Sequence, residues 1–155
     1  MERRIADIEY EQTMQSRYAI AQRQRRSHDE LERSAYLLLS RIDAEGPKSI
    51  GELSDIFHLD LSTVQRQTGS AMRAGLLERV ADPDGGIARK FRITPEGRER
   101  LTAVRSRSIT ALGSILADWT DAEVSMFADM LHRFTLDTEK YVSRPAARSR
   151  VIDES

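Results

Sequence analysis

Two stretches with the punctuation of short helices, SIGELSDIF and LSTVQRQTGSAMRA, lie one turn apart and run directly into LLERVADPDGGIARKFRITPEG. Few folds pack two such helices across a tight turn and then a hairpin. Ser49 and Glu52 form an S-x-x-E capping pair, and Ile50, Leu53, Ile56 and Phe57 mark the buried side of the first helix. His58-Leu59-Asp60-Leu61 reads as the turn. The second helix runs from about Leu61 to Ala74, with Gly75 as a left-handed C-cap and Leu76 as its hydrophobic companion. Leu77–Ala81 and Ile87–Ile93 then read as strands around the turn-rich Asp82-Pro83-Asp84-Gly85-Gly86, and Thr94-Pro95-Glu96 opens another helix.

The flanks read as helical throughout. An N-terminal helix from Glu2 to about Arg26 carries a thin apolar stripe of Ile5, Ile8, Met14, Tyr18 and Ile20, too little to bury alone, so a second copy of the chain is its expected partner. Ser27 with Glu30 caps the next helix, whose Leu31, Ala35, Leu38, Leu39 and Ile42 repeat at helical spacing until Gly46-Pro47. Beyond the hairpin, Leu101, Val104, Leu112, Ile115 and Leu116 line a long helix. Thr120 and Glu123 cap the last, with Val124, Phe127, Met130, Leu131 and Phe134 in an i, i+3, i+4 stripe. The expected fold is mainly α with a small β-hairpin wing: a winged helix-turn-helix with N- and C-terminal dimerisation helices. Its parts are N-terminal helices over 1–46, a winged lobe over 47–98, C-terminal dimerisation helices over 99–141 and a mobile tail over 142–155.

Composition narrows the function. The chain has 155 residues, 39% apolar and 32% charged, and no cysteine, which removes disulfides and thiolate metal sites. No apolar run is long enough to span a bilayer and the charged start lacks the core of a secretion signal, so the expected address is cytoplasmic and no membrane partner is expected. His28, His58 and His132 are isolated, and neither a zinc-protease helix motif, a phosphate loop nor a nucleophile elbow is present. No enzyme, catalytic residue, metal site or cofactor is expected. The net charge of −1 is unusual for a partner of nucleic acid, but its distribution is uneven: from Leu61 to Arg98, Arg66, Arg73, Arg79, Arg89, Lys90, Arg92 and Arg98 face only Glu78, Asp82, Asp84 and Glu96.

At 100° per residue, Val64, Thr68, Ala71 and Gly75 share one arc of the second short helix, with Leu61 and Met72 at its edge, and that arc faces the core. Ser62, Arg66, Gly69 and Arg73 point the other way, flanked by Thr63 and Ser70 on one side and Gln65 on the other. Such a face fits the major groove of double-stranded DNA. Arg66, one turn in, has the reach to fork onto guanine O6 and N7, and Gln65 the chemistry to pair with adenine. Ser62 and Thr63 sit where first-turn hydroxyls and N–H groups meet a phosphate, or one of them caps the helix. Arg73 is placed for a phosphate further along or is a solvated surface arginine, and Gly69 either permits close approach of the backbone or is simply tolerated in a serine- and alanine-rich helix. Arg89 and Lys90 follow the Gly-Gly bend and are the hairpin's candidates for a neighbouring minor groove, or else make a charged, soluble edge.

The chain resembles the MarR family of bacterial winged helix-turn-helix regulators, through DLSTVQRQTGSAMRAGLLERVADPDGG followed by FRITPEGRERL and the order of helices over about residues 29–136. The resemblance implies that Asp60–Val64 opens the recognition helix, Ala74–Leu77 closes it and Ile93–Gly97 leaves the wing. It further implies a dimer with interlocked terminal helices and a small, often aromatic effector bound between dimer region and DNA-binding lobe. Two departures accompany it. Gly85 and Ile87 stand where relatives carry an Asp and a groove-entering Arg, so Arg89 or Lys90 substitutes or the wing contributes little. Gln67 and Thr68 replace aliphatic residues, implying a looser or more polar seat for the helix. The expected function is a homodimeric, sequence-specific DNA-binding regulator, a repressor of pseudo-palindromic sites released by a small molecule. The alternative is a winged-helix protein–protein interaction module that no longer uses its DNA face.

Overall fold

Leu38, Leu39 and Ile42 from one helix meet Leu53, Val64 and Leu101 from three others, all essentially inaccessible to water, and the remaining elements are arranged around that contact. The structure, a computed structural model, describes residues 1–24 and 31–143. Over these the order is α1 (Glu2–Gln24), α2 (Arg33–Glu45), α3 (Ile50–Phe57), α4 (Leu61–Arg73), β1 (Leu77–Val80), β2 (Lys90–Ile93), α5 (Pro95–Ile115) and α6 (Asp121–Val142). The mainly helical fold with a two-stranded wing is as the sequence implies.

Local chemistry sets the helix ends. Ser49 Oγ accepts from the Glu52 N–H while the Glu52 carboxylate accepts from the Ser49 N–H, a complete capping box at α3, and Thr120 with Glu123 repeats it at α6. Two sequence expectations shift. The helix expected to start after Ser27 begins at Arg33, behind an extended Glu32, and the Ser27–Glu30 pair lies outside the described residues, as does the tail from 144 onward. The turn between α3 and α4 is three residues, His58–Asp60, because His58 takes a left-handed conformation (φ 51°) and ends α3 at once.

Helix α4 ends in a complete Schellman motif: the Leu76 N–H reaches the Ala71 carbonyl at 2.9 Å and the Gly75 N–H reaches Met72 at 2.9 Å, with Gly75 at φ 74°. The chain then enters β1, which pairs antiparallel with β2 in the register Leu77↔Ile93, Glu78↔Arg92, Arg79↔Phe91, Val80↔Lys90. Lys48 adds a bridge on the other side of Phe91, bonding its backbone in both directions. The strands are shorter than the sequence suggests, since Ala81–Arg89 all belongs to the wing loop.

Gly97 in the first turn of α5 is buried because α5 starts against the chain leaving α4. A Cβ there would overlap the Leu76 carbonyl, which is backbone and has nowhere to move. Replacing Gly97 by Ala is expected to cost about 3 kcal/mol, against about 1 kcal/mol for Ser49→Ala, which only opens one cap. Urea denaturation of both variants provides the comparison; equal, small losses would mean that the α4–α5 junction is looser than drawn.

Candidate nucleic-acid interface

Helix α4 divides as its periodicity implies. Val64, Thr68 and Ala71 are buried and Met72 is half-buried, whereas Ser62, Gln65, Arg66, Ser70 and Arg73 are exposed and Thr63 and Gly69 are intermediate. Thr68 is not a polar flaw in that seat. Its hydroxyl donates within the helix to the Val64 carbonyl at 2.8 Å and lies 3.1 Å from that of Gln65, so the seat is more polar than an aliphatic one while the buried hydroxyl has its partner. Leu61, expected at the edge of the core, is 59% exposed because the short turn sets the first helical residue outside the α3 contact. Gly75, assigned to the core arc, is exposed as the left-handed residue that follows the Ala74 C-cap.

At the start of α4, Asp60 occupies the N-cap without a side-chain capping bond, and neither Ser62 nor Thr63 bonds another described side chain. Neither hydroxyl is consumed in capping. Over Gly69 the Arg73 side chain folds back: a Cβ on Gly69 would stand 3.4 Å from Arg73 Nη1, an ordinary contact, so the glycine is not sterically required and its outer backbone is reached only when Arg73 swings away.

The wing divides its two candidates. Arg89 is exposed. Lys90, by contrast, keeps only 12% of its side chain exposed and places Nζ 3.2 Å from Asp82 Oδ1 and 3.5 Å from Glu52 Oε1. The hydrogen bond to Asp82 holds the Lys90 ammonium above its ordinary pKa. Asp82 lies below the carboxylate range, chiefly through the Asp84 N–H and also through Lys90 and the Gly86 N–H. Glu52 is lowered chiefly by the Ser49 N–H. A lysine so engaged ties the wing loop to the front of α3, and this placement is at odds with the groove contact expected of it. Alternation along the strand puts Lys90 on the face opposite Phe91, and the carboxylates waiting there come from elements that periodicity does not place.

Pairing thins the basic excess elsewhere too. Arg92 donates from Nε and Nη2 to Glu78 Oε1 across the hairpin, at 3.0 and 2.8 Å, and Arg98 reaches Asp43 on α2 at 3.0 Å. Arg66, Arg73, Arg79 and Arg89 have no acidic partner among the described residues, and Arg79 lies 5.8 Å over the Phe91 ring. A cavity of about 420 Å³ opens beside α4, between the start of α2 and Arg100 of α5, and Arg66, Gln67, Ser70 and Arg73 line it. Sequence reasoning missed Arg100 and Glu32 there, because helical spacing within one element does not report which other helix end faces it.

Known proteins share this arrangement. Residues 30–86 match the model of the MarR family. The chain is 37% identical over 128 residues to the uncharacterised HTH-type transcriptional regulator YxaD of Bacillus subtilis, over 81% of this chain and 89% of that protein. A MarR family protein from Bacillus stearothermophilus has a TM-score of 0.75 over 89% of this chain and 97% of its own, at 22% identity. The PcaV regulator of Streptomyces coelicolor, solved with its natural ligand, has a TM-score of 0.59 over 81% and 88%, at 24% identity. At such identities the structural likeness speaks for the fold alone. With the sequence match, the chain belongs to the MarR family of transcriptional regulators, DNA-binding proteins that are not enzymes. Among the described residues no helix is long and apolar enough to cross a membrane.

The Asp82–Lys90–Glu52 cluster has a pH signature. Carboxylates lowered on folding contribute stability above their unfolded pKa of about 4, and that contribution is lost as pH falls through the lower folded value. Asp82→Asn is therefore expected to lower the melting temperature at neutral pH, with the gap to wild type closing as the pH drops below about 4. Thermal melts across that range would show it; a gap independent of pH would detach Asp82 from the ion cluster.

Proposed function

We propose that the protein is a homodimeric repressor that binds pseudo-palindromic DNA through paired α4 helices and is released by a small molecule. The single observation that carries the reading is the outer face of α4. Ser62, Gln65, Arg66, Ser70 and Arg73 stand in solvent, the two arginines without acidic partners among the described residues. In this reading Arg66 forks onto a guanine and Gln65 reads an adjacent base. Ser62 and Thr63 take a phosphate at the helix start, Arg73 and Ser70 take the backbone further on, and Gly69 lets the helix sit deep. Arg89 serves the wing.

Dimerisation is supported by the apolar residues left open on the terminal helices. Ile5 and Ile8 of α1, Ile109, Leu112 and Ile115 of α5, and Phe127, Met130, Leu131 and Phe134 of α6 are all exposed in the single chain. Two α4 helices related by a two-fold axis then meet half-sites about one helical turn apart. For release, the cavity beside α4 shares Arg66 and Arg73 with the DNA face. An anionic aromatic compound held there engages the same guanidiniums that DNA requires, and so favours the unbound form.

Selection of bound duplexes from a random pool is expected to enrich a two-fold symmetric site. Arg66→Glu should abolish retention of the enriched duplex while leaving the melting temperature within a degree or two. Met130→Glu with Leu131→Glu should halve the mass in sedimentation and weaken DNA binding together. Failure to enrich any duplex at low salt, alongside stoichiometric capture of another protein, would instead favour the interaction-module reading.

A further inference from the structure

Helix α3 stops at His58, the one non-glycine residue with positive φ among those described (φ 51°, ψ 44°). Glycine, sometimes asparagine, is the usual residue at a left-handed helix end. The backbone here is held from within the turn. The His58 and Leu59 N–H groups both reach the Ser54 carbonyl, and the Ser54 hydroxyl donates to the Leu59 carbonyl at 2.6 Å. None of these bonds uses the imidazole. The ring reaches the far end of the chain, with Nε2 3.3 Å from Oγ of Ser143, the C-cap residue of α6. Ser143 spends its hydroxyl hydrogen on the Glu139 carbonyl at 2.7 Å, so its oxygen accepts and His58 Nε2 carries the hydrogen between them.

We propose that His58 is a positioning residue for α4, fastening the turn that opens this helix to the end of α6. This rests on the reading of α4 as the DNA-facing helix. His58 stands two residues before the Asp60 N-cap, whose carbonyl takes the Val64 N–H at 3.1 Å as α4 begins. Ser54 makes the turn one unit, so a ring drawn along by Ser143 carries Asp60 with it, and with Asp60 the exposed Ser62 and the half-buried Thr63. The other end of α4 is held separately, where Thr94 bonds the Gly75 and Leu76 carbonyls. Helix α6 buries no residue of its own, and its Phe127, Met130, Leu131 and Phe134 stand open. Its position is therefore set by whatever covers that stripe, which in the proposed dimer is the second copy. The tether passes that position to the first turn of α4, where a change of angle moves the N–H groups and hydroxyls that meet a phosphate.

The test uses the full chain and begins without DNA. In native-state hydrogen exchange, Ser143→Ala is expected to speed exchange of the Leu59 amide severalfold, while the Leu76 and Thr94 amides at the other end of α4 keep their rates. On a duplex that wild type enriches from a random pool, Ser143→Ala and His58→Gly, which keeps the turn left-handed, should each weaken binding roughly fivefold. The double variant should lose no more than either single one, because both remove the same bond. Ser143→Thr retains the hydroxyl and should restore the exchange rate and the affinity, and the sedimenting mass should stay that of wild type throughout. If wild type enriches no duplex, the DNA-binding reading fails and the exchange rates alone judge the tether. An unchanged Leu59 rate in Ser143→Ala, or losses that add in the double variant, would overturn the tether. Faster exchange with undiminished DNA affinity would overturn the positioning role of His58.

Discussion

One threonine hydroxyl fixes the angle between the reading helix, the wing and the long helix that follows. Thr94 Oγ1 donates to the Gly75 carbonyl at 2.6 Å and accepts the Gly97 N–H at 3.0 Å, while its own N–H bonds the Leu76 carbonyl at 3.1 Å. It thereby caps α5, anchors the end of β2 and holds the Schellman end of α4, three tasks usually spread over several residues. The absence of a Cβ on Gly97 lets the junction close. With it closed, α4 cannot turn about its axis without pulling on the hairpin, so the face that Arg66 occupies and the direction of the wing are set together.

The elements and their caps were legible because the signals are local. Ser49 with Glu52, Gly75 after Ala74, Thr94 before Pro95 and Thr120 with Glu123 each act within one turn of chain, and each does in the structure what its chemistry implies. The buried arc of α4 was legible for the same reason, since a period of 3.6 residues is enough to separate Val64 and Thr68 from Arg66. The hidden part is what depends on contacts between elements. Lys90 looked like a free cation of a basic arm, and only the packing of the wing on α3 brings Glu52 and Asp82 to it. The cavity beside α4, walled by three helices, was invisible on the same grounds.

The open apolar residues mark a boundary between two kinds of stability. In the lobe from α2 through β2 they are rare, and the core formed by Leu38, Leu39, Ile42, Leu53 and Leu101 is dry. On α5 beyond Val104 and along α6 they are the rule, with Trp119 and Phe127 packed edge to face and still partly in water. A helix of this composition gains little from intrinsic propensity and much from burial. The lobe is therefore organised to hold its shape alone, while the terminal helices are organised to be finished by something else. In the proposed dimer that division lets the lobes move as rigid bodies on a shared helical base.

Internal pairing also reconciles an overall charge of −1 with a DNA-facing surface. The acids that neutralise the chain on paper are not spread evenly over it: Glu78, Asp43, Asp82 and Glu52 are engaged by Arg92, Arg98 and Lys90. They engage Lys90, Arg92 and Arg98 and leave Arg66, Arg73, Arg79 and Arg89 unpaired among the described residues. A surface with so few free charges gains little from counterion release, the term that dominates non-specific binding. In the proposed DNA complex discrimination then has to come from fit, with the Arg66 guanidinium aimed at one base edge. In the proposed ligand-released repressor weak general attraction is an advantage, because the ligand competes against a few directed contacts and not against the whole charge of the duplex.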